Sequence, residues 1–223
     1  KANLDYIYNN NKIAKHKLEI NPNTIDISNL PVKQKVNKNQ RELKLIYGGN
    51  LGIPQNPILI SKFIEKIELL ENVTFKIIGS GTEFKFLADF IKDNNFYKTQ
   101  ILSNLPKVKY FSELEKADVG LIFLSEDFSI PNYPSRLLDY LYFDLAILSN
   151  TDSNTDIPEF ICKANVGKCF YGVKDLDNMI LEVNKLRENS IYLESLSQNS
   201  YRSLTTNFDI DISFDLIDKK LQK

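Results

Sequence analysis

From Leu43 onward, short apolar runs alternate with longer stretches of mixed polarity. "LKLIYGG" (43–49), "VTFKIIGSG" (73–81), "TQILS" (99–103), "VGLIFL" (119–124), "LAILSN" (145–150) and "VGKCFYG" (166–172) have the length and hydrophobicity of buried strands. The stretches between them place apolar residues at helical spacing, with Lys, Glu and Asp on the other face. They are "PILISKFIEKIELLEN" (57–72), "EFKFLADFIKDN" (83–94), "KVKYFSELEKA" (107–117), "PSRLLDYLYF" (134–143) and "KDLDNMILEVNKLREN" (174–189). Further helix is expected in "IYLESLSQNSYRSLTTNF" and at the tail. Strand–helix alternation of this kind predicts an α/β fold, a doubly wound parallel sheet with helices on both faces.

The first residues follow a different pattern. "KANLDYIYNNNKIAK" reads as a short helix, "KLEINPNTIDIS" as extended chain with "NPN" as a turn, and "NLPVKQKVNKNQRE" as a polar linker or mobile loop. The expected organisation is an N-terminal extension and linker (1–42), a Rossmann-like domain (43–206) and a C-terminal helical tail (207–223).

Composition narrows the function classes. Of 223 residues, 43% are hydrophobic and 26% charged, as in an ordinary globular chain. A formal net charge of −1 and a pI of about 6.0 argue against nucleic-acid or membrane binding driven by bulk charge. No apolar run approaches the roughly 20 residues that a spanning helix needs. No stretch has the signature of a signal peptide, so a cytoplasmic setting is expected. The chain opens on Lys1 rather than Met, so a piece of a longer protein is expected. The spacing of Cys162 and Cys169 fits no zinc motif and suits two partly buried thiols. His16, flanked by lysines and expected at the surface, is the sole histidine, which argues against a Ser-His-Asp triad or a His-rich metal site.

A doubly wound sheet takes ligands beyond the carboxyl ends of its strands, and the suggestive chemistry falls there. "YGGNLGIPQN" offers Gly48, Gly49 and Gly52, where a backbone could approach a ligand closely before a helix begins. It lacks both the dinucleotide spacing G-x-G-x-x-G and a Walker Gly-Lys-Ser/Thr. "IIGSGTEFKFL" repeats the strand, glycine loop and helix with Gly79 and Gly81. In "PNYPSRLLDY", Pro134 suits a first helical turn and Asn132 is a plausible cap. The N–H groups near Ser135 and Arg136 would then be free donors, and Arg136 adds a planar cation suited to phosphate. Asp139, one turn after Ser135, could share its face and accept hydrogen bonds from a ribose diol, or it could be a solvated acid.

Taken in order, these pieces resemble the C-terminal domain of a GT-B glycosyltransferase, most similar to the retaining enzymes of family 4. "KLEINPNTIDI" resembles the segment entering that domain, "LIYGGNLGIPQN" its first strand and donor loop, and "FKIIGSG" its second glycine loop. "QILSNLPKVKYFSELEKADVGLIFL" is similar to the base-binding loop with the helix and strand after it. "YPSRLLDYLYFDLAIL" resembles the nucleotide-sugar signature, and "TDIPEFICKANVGKCF" the strand that follows. The resemblance covers roughly residues 17–206.

It implies a nucleotide diphosphate sugar as substrate and no metal or other cofactor. The backbone around Leu105 and Pro106 would hold the base. Asp139 would stand for the glutamate that holds ribose hydroxyls. Ser135, Arg136 and the first glycine loop, including Asn50, would hold the diphosphate. It also implies surface-polysaccharide assembly, an N-terminal GT-B domain or partner chain for the acceptor, and peripheral membrane association of the full enzyme. Without that domain the chain is expected to transfer no sugar.

Five positions depart from the pattern. The first acid falls on Pro131, the loop Arg and Lys on Asn50 and Gln55, the base-loop glycine on Ser103, and a later glycine on Asp144. The departures put more of the diphosphate charge on Arg136. They also keep open a degenerate binding or scaffolding module, with half of a sugar-nucleotide epimerase as a third reading.

Overall fold

The computed structural model describes residues 1–11, 13–33, 42–127 and 130–222. Six strands form one wholly parallel sheet in the order β3-β2-β1-β4-β5-β6. They are β1 (Leu43–Asn50), β2 (Val73–Ser80), β3 (Thr99–Leu102), β4 (Val119–Phe123), β5 (Ala146–Asn150) and β6 (Gly167–Phe170). Chain order reverses direction between β1 and β4, so the connections before and after that point run to opposite sides and leave a crevice there.

Each strand serves two cores because successive side chains alternate faces. In β1, Leu45 and Tyr47 enter one cluster while Ile46 enters the other. In β5, Ala146 and Leu148 take the first side and Ile147 the second. The first cluster is closed by α2 (Pro57–Glu68), α3 (Phe84–Asp93) and α7 (Leu176–Glu188). The second is closed by α4 (Lys107–Lys116), α5 (Arg136–Tyr142) and α6 (Ile157–Ala164). α8 (Ser190–Asn207) joins both, placing Leu196 in the first and Leu204 in the second. The buried aliphatic and aromatic groups on these faces supply most of the drive to fold, at roughly 25 cal/mol per Å² of apolar surface removed from water.

Several expectations shift. The helix expected at 134–143 is shorter, Arg136–Tyr142, and its cap is Ser135 rather than Asn132. Pro134 lies ahead of the helix, its carbonyl accepting from Leu137 N in a turn. The stretch "IPEFICKA", taken as part of a strand-bearing segment, is helix α6, and β6 begins only at Gly167. "KLEINPNTIDIS" is extended but pairs at a single point, Ile25 with Asp209. The N-terminal helix is present as α1 (Ala2–Asn11), and the tail forms α9 (Ile210–Leu221). Most of the expected polar linker, residues 34–41, lies outside the described residues.

His16 is exposed. Cys162 is exposed, Cys169 half-buried, and both are free thiols. Among the described residues no helix is long and apolar enough to cross a membrane.

Candidate functional site

The crevice between β1 and β4 opens at the carboxyl edge into a cavity of about 640 Å³. Its floor is β1. The β1–β4 ladder has only two registered pairs, Leu45 with Val119 and Ile46 with Gly120. Beyond them the Tyr140 hydroxyl spans the gap: Gly48 N donates to it at 2.9 Å, and it donates to Leu121 O at 3.2 Å. Gly48 and Gly120 leave room for aromatic rings. A Cβ on Gly48 would run into Tyr110, and one on Gly120 into Tyr140.

Arg136 stands one turn before Tyr140, so the same helix that bridges the strands delivers a cation to the cavity. Its guanidinium lies 4.5 Å from the centre of the Tyr47 ring, a cation–π contact. It also covers Gly49, whose φ of +131° suits glycine and whose missing Cβ would come within 3.1 Å of the guanidinium carbon. Burial works against the charge, but the phenol oxygens of Tyr47 and Tyr140 favour it. The net effect is a pKa above the ordinary value, and Arg136 stays protonated. Nη1 of Arg136 is buried and has no hydrogen-bond partner. No carboxylate pairs with this side chain among the described residues.

Asp139 lines the same cavity, one turn from Ser135 as the spacing predicts. Burial pushes its carboxyl up to about 6, with Lys107 pulling the other way. Burial also raises the phenols of Tyr110 and Tyr133, keeping them neutral donors. The backbone N–H groups of Ser135 and Arg136 make no hydrogen bond among the described residues.

The loop after β1 is held by its own amides. The Tyr47 hydroxyl donates to Asn50 O at 2.5 Å, while Gln55 Oε1 accepts from Asn50 Nδ2 and Gly52 N, each at 3.0 Å. The two neutral residues at the resemblance's cation positions are thus bonded to each other.

Of the expected site residues, Gly49, Asn50, Leu105, Pro134, Ser135, Arg136 and Asp139 share this cavity. Gly52, Gly79, Gly81 and Pro106 do not line it. Gly79 lets β2 pass β1, since a Cβ there would strike Gly49 O. Gly81, at φ +150°, passes against Leu51 O. Pro106 caps α4. Sequence reasoning missed Tyr47, Tyr110, Tyr133, Asn104 and Asn23, whose side chains sit in apolar runs or in distant segments. Asn104 Nδ2 ties the loop after β3 to Ser80 Oγ at 2.7 Å. For Tyr110 the available signal was Gly48, whose missing side chain makes room for its ring.

No protein-family model matches the chain, and no curated protein matches it in sequence. Solved structures do match in three dimensions. WaaG, a glycosyltransferase involved in lipopolysaccharide biosynthesis, superposes with a TM-score of 0.70 at 16% identity, over 96% of this chain and 59% of that one. The C-terminal domain of LpcC, a glycosyl transferase group 1 family protein from Francisella tularensis, gives 0.66 at 13% identity, over 83% of this chain and 99% of that one. The pneumococcal O-GlcNAc transferase GtfA, solved with UDP and GlcNAc, gives 0.63 at 16% identity, over 80% of this chain and 35% of that one. The chain thus spans little more than half of WaaG and about a third of GtfA, but nearly the whole of the isolated LpcC domain. Its fold is that of the C-terminal domain of a GT-B glycosyltransferase.

Proposed function

We propose that this chain is the donor-binding domain of a nucleotide-sugar-dependent glycosyltransferase, retaining and metal-independent, in bacterial surface-polysaccharide assembly. The observation that carries the reading is Arg136, a half-buried cation whose buried Nη1 has no hydrogen-bond partner and which has no carboxylate partner among the described residues, at the switch point of the sheet. A partly buried charge without a counter-ion is costly, and an anionic ligand relieves that cost. A sugar diphosphate supplies one. As its glycosidic bond breaks, negative charge grows on the departing diphosphate, and a fixed guanidinium stabilises that charge. Asp139 takes the ribose hydroxyls, and the apolar side of the cavity, with Leu105, Ile78 and Tyr110, takes the base.

The acceptor site lies on an N-terminal domain or partner chain, and the full enzyme sits at the inner face of the membrane as a peripheral protein. The isolated chain binds donor but transfers no sugar. Calorimetry with UDP and GDP tests the reading. Binding that Arg136→Ala and Asp139→Ala both weaken supports it; silence of the folded chain toward both nucleotides overturns it.

A second reading, a non-catalytic scaffolding module, draws support from the mutual bonding of Asn50 and Gln55, which leaves Arg136 as the one cation lining the cavity among the described residues. The same titration decides between them, since the scaffold needs no nucleotide.

A further inference from the structure

One wall of the cavity comes from outside the Rossmann-like domain. Asn23 belongs to the segment before β1, yet it lines the site beside Asn132 and Tyr133. The segment is tied down on both sides of it. Ile25 N donates to Phe208 O at 2.9 Å, and Ile210 N donates to Ile25 O at 3.2 Å, at the corner between α8 and α9. The Ser213 hydroxyl holds Asn21 Oδ1 at 2.8 Å and lies 3.1 Å from the Thr24 hydroxyl. The Phe208 ring packs against Tyr133 at 6.1 Å, joining this corner to the cavity wall. Between these ties Asn23 is exposed and makes no hydrogen bond among the described residues.

The cavity is two-sided because of strand order. Ile78 and Leu105 come from the β2 and β3 ends, on one side of β1. Asn132 comes from the connection after β4, on the other. Arg136 covers Gly49 between them. A ligand with its anion at Arg136 and its base over the apolar side turns its remaining group toward the amides. A primary amide offers two donors and one acceptor, a set that suits vicinal hydroxyls rather than phosphate or a hydrocarbon.

We propose that Asn23 reads the hydroxyls of the donor's glycosyl group, delivered to the site by a strap that precedes the domain. The proposal rests on the donor-binding reading above. It gives the segment before β1 a part in choosing the sugar, besides its part in packing.

The test is calorimetry on the wild type and Asn23→Ala with UDP, UDP-glucose, UDP-N-acetylglucosamine, GDP and GDP-mannose. Asn23 is exposed, so the variant keeps its fold, checked by an unchanged melting curve. In the wild type at least one sugar nucleotide binds more tightly than its bare nucleotide. In Asn23→Ala that affinity falls about 5- to 10-fold, the size of one lost hydrogen bond, while the bare nucleotide stays within about two-fold. Equal losses for both, no loss, or a wild type that never favours a sugar nucleotide each overturn the proposal. Silence of the wild type toward all five removes the donor-binding reading and takes this proposal with it.

Discussion

The two ends of the sheet carry charge in opposite ways. At the amino end a cavity of about 490 Å³ is ringed by Glu42, Lys44, Lys76, Lys98, Glu113 and Lys116. Every one of them is matched. Glu113 takes both Lys76 and Lys116, Lys44 faces Glu42 at 3.8 Å, and Lys98 Nζ donates to Glu68 O and Leu70 O at 2.7 and 2.6 Å. At the carboxyl end Arg136 has no carboxylate partner among the described residues, and Asp139 is held at a raised pKa by burial. A satisfied set of charges stabilises a surface modestly and asks for nothing more. An unsatisfied buried charge destabilises the empty protein and is relieved by a ligand. Cavity size alone does not separate the two ends; the balance of charges does.

The sharpest way to break this contrast is to remove the cation at each end. Arg136→Ala should lower UDP or GDP affinity by about 30-fold or more, the scale of a charge-assisted hydrogen bond, and Arg136→Lys should not restore it fully. Lys76→Ala should leave nucleotide affinity within about two-fold. A comparable loss from both, read by calorimetry, would erase the distinction.

Next comes Asp139. Its carboxyl titrates near 6 in the folded chain against 3.8 unfolded, so the folded state holds the extra proton between those values. Stability of the empty chain therefore falls as pH rises from about 4 to about 6 and stays lowered above that. Asp139→Asn should stabilise the empty chain by about 1–2 kcal/mol at pH 7.5, with the gain gone near pH 4. Urea melts at the two pH values measure it, and a loss of stability at pH 7.5 would contradict the assignment.

Tyr47→Phe should have a smaller effect. It keeps the ring under Arg136 but deletes the bond to Asn50 O and the phenol oxygen that favours the guanidinium charge, costing about 1 kcal/mol of stability.

Smallest is the mirror of the Asp139 test at the amino end. Burial raises the Glu113 pKa, but the bonds from Lys116 and Lys76 outweigh it and hold the pKa below its ordinary value. That stability is present above the unfolded pKa and is lost as pH falls through the folded one. Glu113→Gln should cost less than about 1 kcal/mol at neutral pH and nothing in strong acid. Opposite signs for the two carboxyl variants at pH 7.5 would confirm that one end is built to stay shut and the other to receive.

Much of the architecture was legible because doubly buried strands leave continuous apolar runs, as in "VGLIFL", and amphipathic helices leave a 3.6-residue beat, as in "PILISKFIEKIE". α6 escaped because it is eight residues long and buries only Ile157 and Ile161, too few to establish a period. The Ser135–Arg136–Asp139 grouping was legible from helical spacing, and all three line the site. Arg136's missing partner was not legible, because it is a property of the whole neighbourhood. The glycines split for a related reason. Gly49 faces the cavity while Gly79 and Gly81 admit neighbouring backbone, and a strand-end glycine looks the same in sequence for either purpose. Asp144 illustrates the reverse. It occupies a glycine position of the resembling pattern and takes φ 56°, a conformation that Asp tolerates better than most residues.

The hydroxyl of Tyr140 behaves as a keystone. It replaces a rung of backbone between β1 and β4 with a side chain, so the two strands separate without stranding Gly48 N or Leu121 O. The mouth of the cavity and the helix that carries Arg136 are consequently fastened at one atom. Any shift of α5 must either carry the mouth of the crevice with it or break that joint. In a hinged two-part enzyme, such a coupling would let the guanidinium and the gap it guards travel together as one rigid jaw.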